Sequence, residues 1–295
     1  MNYNITSESG WINFMIKPGA LLSILLVGLL LYSCAAELDE VRLGYVEWDS
    51  EIASTHVVAA VLMDRLDREV NIQSAEPGPM WAGIARGDFD AIVSAWLPAT
   101  HQTYWDSYGV DVVDLGPNLE DARIGWVVPA YTPINSITEL NDFSNELGGR
   151  VVGIDPGAGL MQASEQAIEH YGINLRLVEG SGAAMAAALS SAIRNNEHIV
   201  VAGWTPHWKF ASFDLKYLDD PDGIFGDAEA IHTIVTPQLE EQDPEVFSFL
   251  DNFYWTNEDI GQVMVMIEEG MAPMEAARAW ISENEDKVDA WLETE

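Results

Sequence analysis

The chain predicts an α/β fold of two lobes that hinge as a clamshell. Three observations carry this expectation. From Val41 onward, short β-rich runs alternate with longer helical ones, a pattern that argues for a largely parallel sheet with helices on both faces. The alternation runs twice, once before and once after a stretch punctuated by Pro129, Pro133 and Asn135, which marks a crossover between two units. A further β-rich run, Ile231 to Val235, stands just before Pro237 and reads as the return crossover. Two lobes joined by two crossovers can close on a ligand by hinge motion.

The elements follow in order. Val41 to Val46 reads as a strand and Ile52 to Leu66 as an amphipathic helix, with Asp49 and Ser50 as possible capping residues ahead of it. Val70 to Ala75 is a strand. Met80 to Ala85 is helical and stops at Gly87. Ala91 to Ala95 is a strand of small and branched residues, and Val110 to Leu115 and Ile124 to Val128 read as two more. The second unit opens with the strand Arg150 to Ile154. The helix Leu160 to Tyr171 ends at Gly172, the residue type expected just past a helix. Leu175 to Val178 is a strand, Ala183 to Ile193 a helix and Ile199 to Ala202 a strand. The tail predicts three helices: Val246 to Tyr254, Asp259 to Glu269 and Met274 to Leu292. The expected first lobe is therefore 41–130 with 236–295, and the second is 131–235.

Bulk properties narrow the function. The chain has 295 residues, 48% of them hydrophobic, and 11 Trp, ample for a packed core. Its formal net charge is -35, from 48 acidic and 13 basic residues. Nucleic-acid binding needs clustered Lys and Arg and is excluded, as is a polybasic membrane tether. The acidity fits either a solvated surface that keeps the chain soluble or a salty medium in which screening weakens self-repulsion.

The N-terminus carries an apolar run, Ala20 to Tyr32, behind Lys17. It is short for a spanning helix, which takes ~20 apolar residues, and fits the apolar region of a secretory signal. The run ends Leu31-Tyr-Ser-Cys34, similar to a bacterial lipobox, and Cys34 is the one Cys of the chain. No intrachain disulfide framework is possible. The expectation is a signal peptide over 1–33, a tether over 34–40, and a lipid on Cys34 that holds the protein at the membrane.

Three Trp stand where a predicted strand gives way to a polar turn: Trp48, Trp96 and Trp204. Ligands of α/β folds sit at such strand ends. Three indole faces suit a cation without N–H groups, such as a quaternary ammonium, drawn to the negative face of the π system. Trp105, Trp126, Trp255, Trp280 and Trp291 read as packing residues, and Trp81 and Trp208 lean the same way. The segment Gly153-Ile-Asp-Pro-Gly-Ala-Gly-Leu-Met161 is a strand, a Gly-rich turn and a helix start. Free N–H groups there suit a carboxylate, and the amides of Gly159 and Leu160 are the candidates. The turn lacks the Lys of a phosphate loop and a full dinucleotide fingerprint. His101, five residues after Trp96, adds a possible side-chain donor. No Gly-x-Ser-x-Gly elbow or metal-spaced His/Cys cluster appears, and Asp49, Glu51 and Asp155 read as capping or solvated groups.

Six segments carry a resemblance: Gly44-Tyr-Val-Glu-Trp-Asp-Ser-Glu-Ile-Ala-Ser54, Gly78-Pro-Met-Trp81, Ser94-Ala-Trp-Leu-Pro-Ala-Thr-His101, Gly153-Ile-Asp-Pro-Gly157, Gly203-Trp-Thr-Pro-His-Trp208 and Ile231-His-Thr233. Together they resemble the glycine betaine-binding lipoproteins of ABC-type osmoprotectant importers, from about Val41 to the end. The resemblance implies a type II periplasmic-binding-protein clamshell, no cofactor, and delivery of ligand to a membrane permease with its ATPase subunit. It implies an aromatic cage of Trp48, Trp96 and Trp204 around the trimethylammonium. It also implies a carboxylate held by the Gly159 and Leu160 amides, with His101 assisting for some ligands. Some members carry the lobes in permuted order; here the lobe with two Trp comes first. Leu160 stands where some relatives have Ile, a change to which a backbone donor is indifferent. Proline betaine is a further expected ligand. Choline, carnitine or ectoine binding, an enzyme acting on a small zwitterion, and a ligand-sensing domain are the alternatives.

Overall fold

The computed structural model describes residues 40–293. The signal-peptide and lipobox readings, Cys34 included, lie outside the described residues. Among the described residues, no helix is long and apolar enough to cross a membrane.

The first unit begins with β1 (Val41–Tyr45), α1 (Asp49–Asp64), β2 (Val70–Ser74), α2 (Pro77–Arg86) and β3 (Ala91–Leu97). β1 pairs in parallel with β2 from Val41↔Val70 to Tyr45↔Ser74, and with β3 at Leu43↔Ala91. α2 starts on Pro77, whose missing N–H costs nothing at a helix start. It stops at Gly87, whose φ of 76 places it in the left-handed region that a helix end favours. α3 (Gln102–Tyr108) was not expected; it is short, buries no residue, and offers no apolar periodicity to read.

β4 (Val113–Pro129) is one strand of 17 residues where two shorter runs were expected. Gly116 and Pro117, which break its apolar pattern, fall where its pairing with the partner strand shifts register. The second unit contributes β5 (Arg150–Val152), α4 (Gly159–Tyr171), β6 (Arg176–Val178), α5 (Gly182–Arg194) and β7 (Val201–Thr205). Gly172 ends α4 in the left-handed region, φ 60. A short helix, α6 (Lys209–Ser212), and strands β8 (Leu215–Tyr217) and β9 (Glu229–Val235) follow.

Among the described residues, nine strands form one sheet of order β2-β1-β3-β9-β4-β7-β5-β6, with β8 paired to β4. The sheet is not largely parallel, as the alternation of elements suggested. Two parallel groups, β2-β1-β3 and β7-β5-β6, flank two strands that run antiparallel to their neighbours. β9, the run read as the return crossover, lies between β3 and the first half of β4. The second half of β4 pairs with β7, from Arg123↔Thr205 to Val127↔Val201, and with β8. β4 thus passes from one parallel group to the other.

The tail returns to the first group as α7 (Leu239–Gln242), α8 (Pro244–Asn252), α9 (Asn257–Glu268), α10 (Pro273–Glu283) and α11 (Glu285–Trp291). α9 opens with a capping box in which Thr256 and Asp259 satisfy each other's backbone N–H. The expected last helix divides at Asn284, whose backbone leaves the helical region and whose side-chain amide donates to the Trp280 carbonyl. α1 packs on β1 and β3 at one side and on α9 and α10 at the other. That sandwich explains why Val57 to Leu62 are all fully buried: a helix covered all round has no polar face to show.

Candidate functional site

Trp48, Trp96, Thr100, His101, Ile124, Ile154, Ala158, Gly159, Leu160 and Trp204 line one chamber of about 300 Å³, its mouth included. All six candidate binding residues named from the sequence meet there. No Asp, Glu, Lys or Arg side chain is in the lining. Any charge on an occupant must therefore be met by π faces, N–H dipoles and a neutral imidazole.

The three indoles reach the chamber from separate elements. Trp48 occupies the N-cap position of α1 in extended conformation and offers no side-chain cap. Trp96 lies within β3 and Trp204 within β7, each one residue before the strand's end. All three are nearly buried. The Trp48 and Trp204 rings stand 6.4 Å apart, inclined at 52°. Their N–H edges are occupied: Trp48 Nε1 donates to Asp155 Oδ2 at 2.7 Å, and Trp204 Nε1 donates to Ser50 Oγ at 3.3 Å. With the edges tied down, each ring is held in orientation.

These bonds correct the capping reading of Asp49, Ser50 and Asp155. At the start of α1 the cap is Trp48, and the polar side chains turn to partners far along the chain instead. Asp49 Oδ1 accepts from Trp208 Nε1 at 2.9 Å, so Trp208 is a cross-tie and not only a packing residue. Glu51 turns inward, and its Oε2 accepts from the Val46 N–H at 2.7 Å.

The start of α4 lines the same chamber. The N-cap residue Ala158 has no side-chain acceptor to offer. The N–H groups of Gly159 and Leu160 have no carbonyl one turn back within the helix, which leaves them free to meet an anion. Gly159 is required by close approach. A Cβ there would lie 1.9 Å from the Thr100 carbonyl oxygen. The loop that carries Thr100 is itself fixed: the Ala99 and Thr100 N–H groups and the Thr100 hydroxyl all donate to the Glu229 carboxylate. Tyr104 Oη donates to the Gly157 carbonyl at 2.7 Å, a second link between this loop and the Gly-rich turn. Thr100 lay within a segment singled out in the sequence, yet nothing in its type distinguished it. Ile124 and Ile154 supply apolar wall and were not anticipated.

His101 is fully buried. Its Nδ1 accepts from the Trp96 N–H at 3.1 Å, which assigns the ring proton to Nε2. That Nε2 has no partner in the protein, so the imidazole can donate into the chamber. Trp81 and Tyr104 stack on each other at 6.1 Å and both meet the imidazole edge-on. Burial pushes His101 down to about 3, so the ring is neutral at physiological pH.

Glu51 has the opposite tendency. Burial pushes its carboxyl up to about 8, against the bond from Val46 and the nearby Ser94. Between its ordinary value of 4.5 and about 8, the folded chain keeps a proton that the unfolded chain releases. Stability therefore falls as pH rises through that range. Glu51→Gln is expected to remove this loss. Thermal melts should show the variant gaining on the wild type from pH 5 to pH 8.5; a constant difference would mean that the carboxyl is already ionised. His101 has the contrary sign. Between about 3 and 6.5 the folded chain binds fewer protons than the unfolded one, so stability is lost as pH falls. His101→Gln should flatten the acid limb of the melting profile, and an unchanged acid limb would contradict the neutral, buried ring.

Comparison with known proteins supplies the remaining findings. The family model described as the substrate binding domain of ABC-type glycine betaine transport system matches residues 39–283. The glycine betaine/carnitine transport binding protein GbuC of Listeria monocytogenes serotype 1/2a (strain 10403S) is 46% identical over 155 residues, 52% of this chain and 52% of that protein. The match thus spans about half the length of that relative. The crystal structure of lactococcal OpuAC, closed and complexed with glycine betaine, superposes with a TM-score of 0.83 at 42% identity, covering 87% of this chain and 100% of that one. An ABC-transporter choline binding protein in complex with choline gives a TM-score of 0.79 at 25% identity, covering 86% of this chain and 91% of the other.

Proposed function

The chain belongs to the family of substrate binding domains of ABC-type glycine betaine transport systems, and from that premise we propose that its chamber captures glycine betaine as an intact zwitterion. One observation carries the reading. A lining without Asp, Glu, Lys or Arg brings together three indoles, the helix-start amides of Gly159 and Leu160, and the unpartnered Nε2 of His101. A trimethylammonium group has no N–H to donate, so indole faces replace its hydration, at ~1–2 kcal/mol for each desolvated contact. The carboxylate takes the amides of Gly159 and Leu160, each worth ~1.5–3 kcal/mol as a charge-assisted bond, and the Nε2–H of His101. After ordering costs, this sum is consistent with micromolar binding.

In this reading the expected lobes, 41–130 with 236–295 and 131–235, trade two strand segments. β4 from Arg123 onward pairs with β7 and β8 and goes with the second lobe. β9 pairs with β3 and the first half of β4 and goes with the first. The hinge lies where β4 and β9 part, at Ala122 and Glu229. Trp48 and Trp96 belong to the first lobe; Trp204, Gly159 and Leu160 belong to the second. Closure then completes the cage, and the ties from Asp49 to Trp208, Ser50 to Trp204 and Asp155 to Trp48 hold it shut. The chain acts as an extracytoplasmic carrier that hands its ligand to an ABC permease and its ATPase, and not as an enzyme. A lipid on Cys34 would keep it at the membrane. Proline betaine, which keeps both the methylated nitrogen and the carboxylate, fits the same groups.

Choline is the second reading, favoured by the choline-bound relative. It has the cation but no carboxylate, so it leaves the Gly159 and Leu160 amides unmatched. Titration of the segment from Ala35 onward by calorimetry with glycine betaine, proline betaine, choline and carnitine decides the matter. Glycine betaine is expected to bind at least about tenfold more tightly than choline. Equal or tighter choline binding would refute the amide site.

A further inference from the structure

The Trp204 wall is built against a buried amine. Lys209, the first residue of α6, is fully buried, and its Nζ lies 4.1 Å from the centroid of the Trp204 ring. Lys209 is not part of the chamber lining. Its hydrogen-bond contact is the Trp204 carbonyl oxygen, at 3.5 Å. The acidic group that acts on it is Asp49, which it does not touch as an ion pair; Asp49 Oδ2 instead lies 3.3 Å from His207 Nε2. An amine buried without a carboxylate is costly, and an apolar side chain of equal length would fill the same space.

We propose that Lys209 sets the strength of the chamber for cations by occupying one face of Trp204 from outside. This rests on the reading of the chamber as a quaternary-ammonium site. A ring that already faces one cation attracts a second less strongly, and like charges repel across a poorly screening interior. Protonated Lys209 therefore competes with the ligand's headgroup for one indole, and the neutral amine does not.

The groups around Lys209 decide when this matters. From its own turn comes His207, whose ring lies 4.5 Å from that of Trp204 and whose Nδ1 accepts from the Lys209 N–H. From α1 comes Asp49, and Glu268 of α9 is in turn influenced by Asp49. Phe210 is the other ring near the amine, at 5.4 Å. Burial holds the Lys209 amine well below the ordinary lysine range, with Asp49 opposing. Burial, with help from Lys209, holds His207 below its own. Both gain charge as pH falls, and both stand beside Trp204. Affinity for a cationic headgroup accordingly declines toward acid pH.

The test is calorimetry of the purified protein from pH 6 to pH 9 with glycine betaine and with 3,3-dimethylbutyrate, which keeps the shape and carboxylate but replaces the ammonium nitrogen by carbon. The wild type should lose betaine affinity toward pH 6 while its 3,3-dimethylbutyrate affinity holds. Lys209→Met should bind betaine about fivefold or more tightly than the wild type at pH 6, with a flatter profile. Betaine curves for variant and wild type that run parallel would reduce Lys209 to a packing residue and overturn the proposal. So would a wild-type profile common to both ligands, a result that needs no variant. Failure of the wild type to bind betaine at any pH would instead defeat the parent reading.

Discussion

Gly159→Ala is expected to weaken glycine betaine binding by about a hundredfold or more, a loss of ~2.7 kcal/mol. The added methyl meets backbone, not a pliable side chain: Thr100 O at 1.9 Å, Thr100 C at 2.7 Å and Thr100 Cγ2 at 2.8 Å. The Thr100 loop cannot yield alone, because the Glu229 carboxylate holds its N–H groups and hydroxyl. The loop and the start of α4 must therefore part by about an ångström, since packed groups do not interpenetrate. In the proposed mechanism this separation holds the lobes open and moves two anion donors away from the cage. The ligand-free fold should not suffer. Gly159 begins a helix in which its backbone needs no left-handed conformation, and Ala is the better helix former. The expected outcome is a lost calorimetric signal with an unchanged ligand-free melting temperature. Wild-type affinity in this variant would mean that the Thr100 contact plays no part in capture.

Trp204→Ala should weaken betaine binding at least tenfold. The ring is one wall of the chamber, lies 6.4 Å from Trp48, and is fastened by its N–H to Ser50. Its removal deletes one cation–π face, worth ~1–2 kcal/mol, and opens the chamber to water that screens the other two. Trp204→Phe keeps a π face but loses the Ser50 bond, so it should recover part of the affinity. Unchanged betaine affinity in Trp204→Ala would remove Trp204 from the site.

Both substituted positions stood out in the sequence, but what makes each one costly did not: the Thr100 contact of Gly159 and the Ser50 tie of Trp204 are tertiary. Gly and Pro punctuation revealed the ends of α2 and α4 because the backbone itself demands those residues there. Helical spacing located α1, although the amphipathic reading of it is overturned because the helix is covered on nearly all sides, and short β-rich runs located most strands. The continuity of β4 was hidden, since Gly116 and Pro117 look like breakers, and whether a strand bends through them depends on β9, 115 residues later in the pairing Pro117↔His232. α3 and β8 have no strong local pattern, being short and only partly buried. At the site, Trp48, Trp96, Trp204 and the Gly-rich turn stood out through residue type and place at strand ends. The ties of Asp49 to Trp208 and Asp155 to Trp48 did not, because each spans more than a hundred residues. Lys209 was invisible for a related reason: a lysine in a polar turn looks solvated until packing closes over it.

The central claim is that indoles from two lobes enclose a methylated cation while main-chain donors grip its acid end. A crystal structure of the protein with glycine betaine tests it most directly. The account predicts the trimethylammonium within about 6 Å of the ring centroids of Trp48, Trp96 and Trp204, and the carboxylate on the amides of Gly159 and Leu160. Electron density for the ligand elsewhere, or indoles turned away from it, would contradict the account.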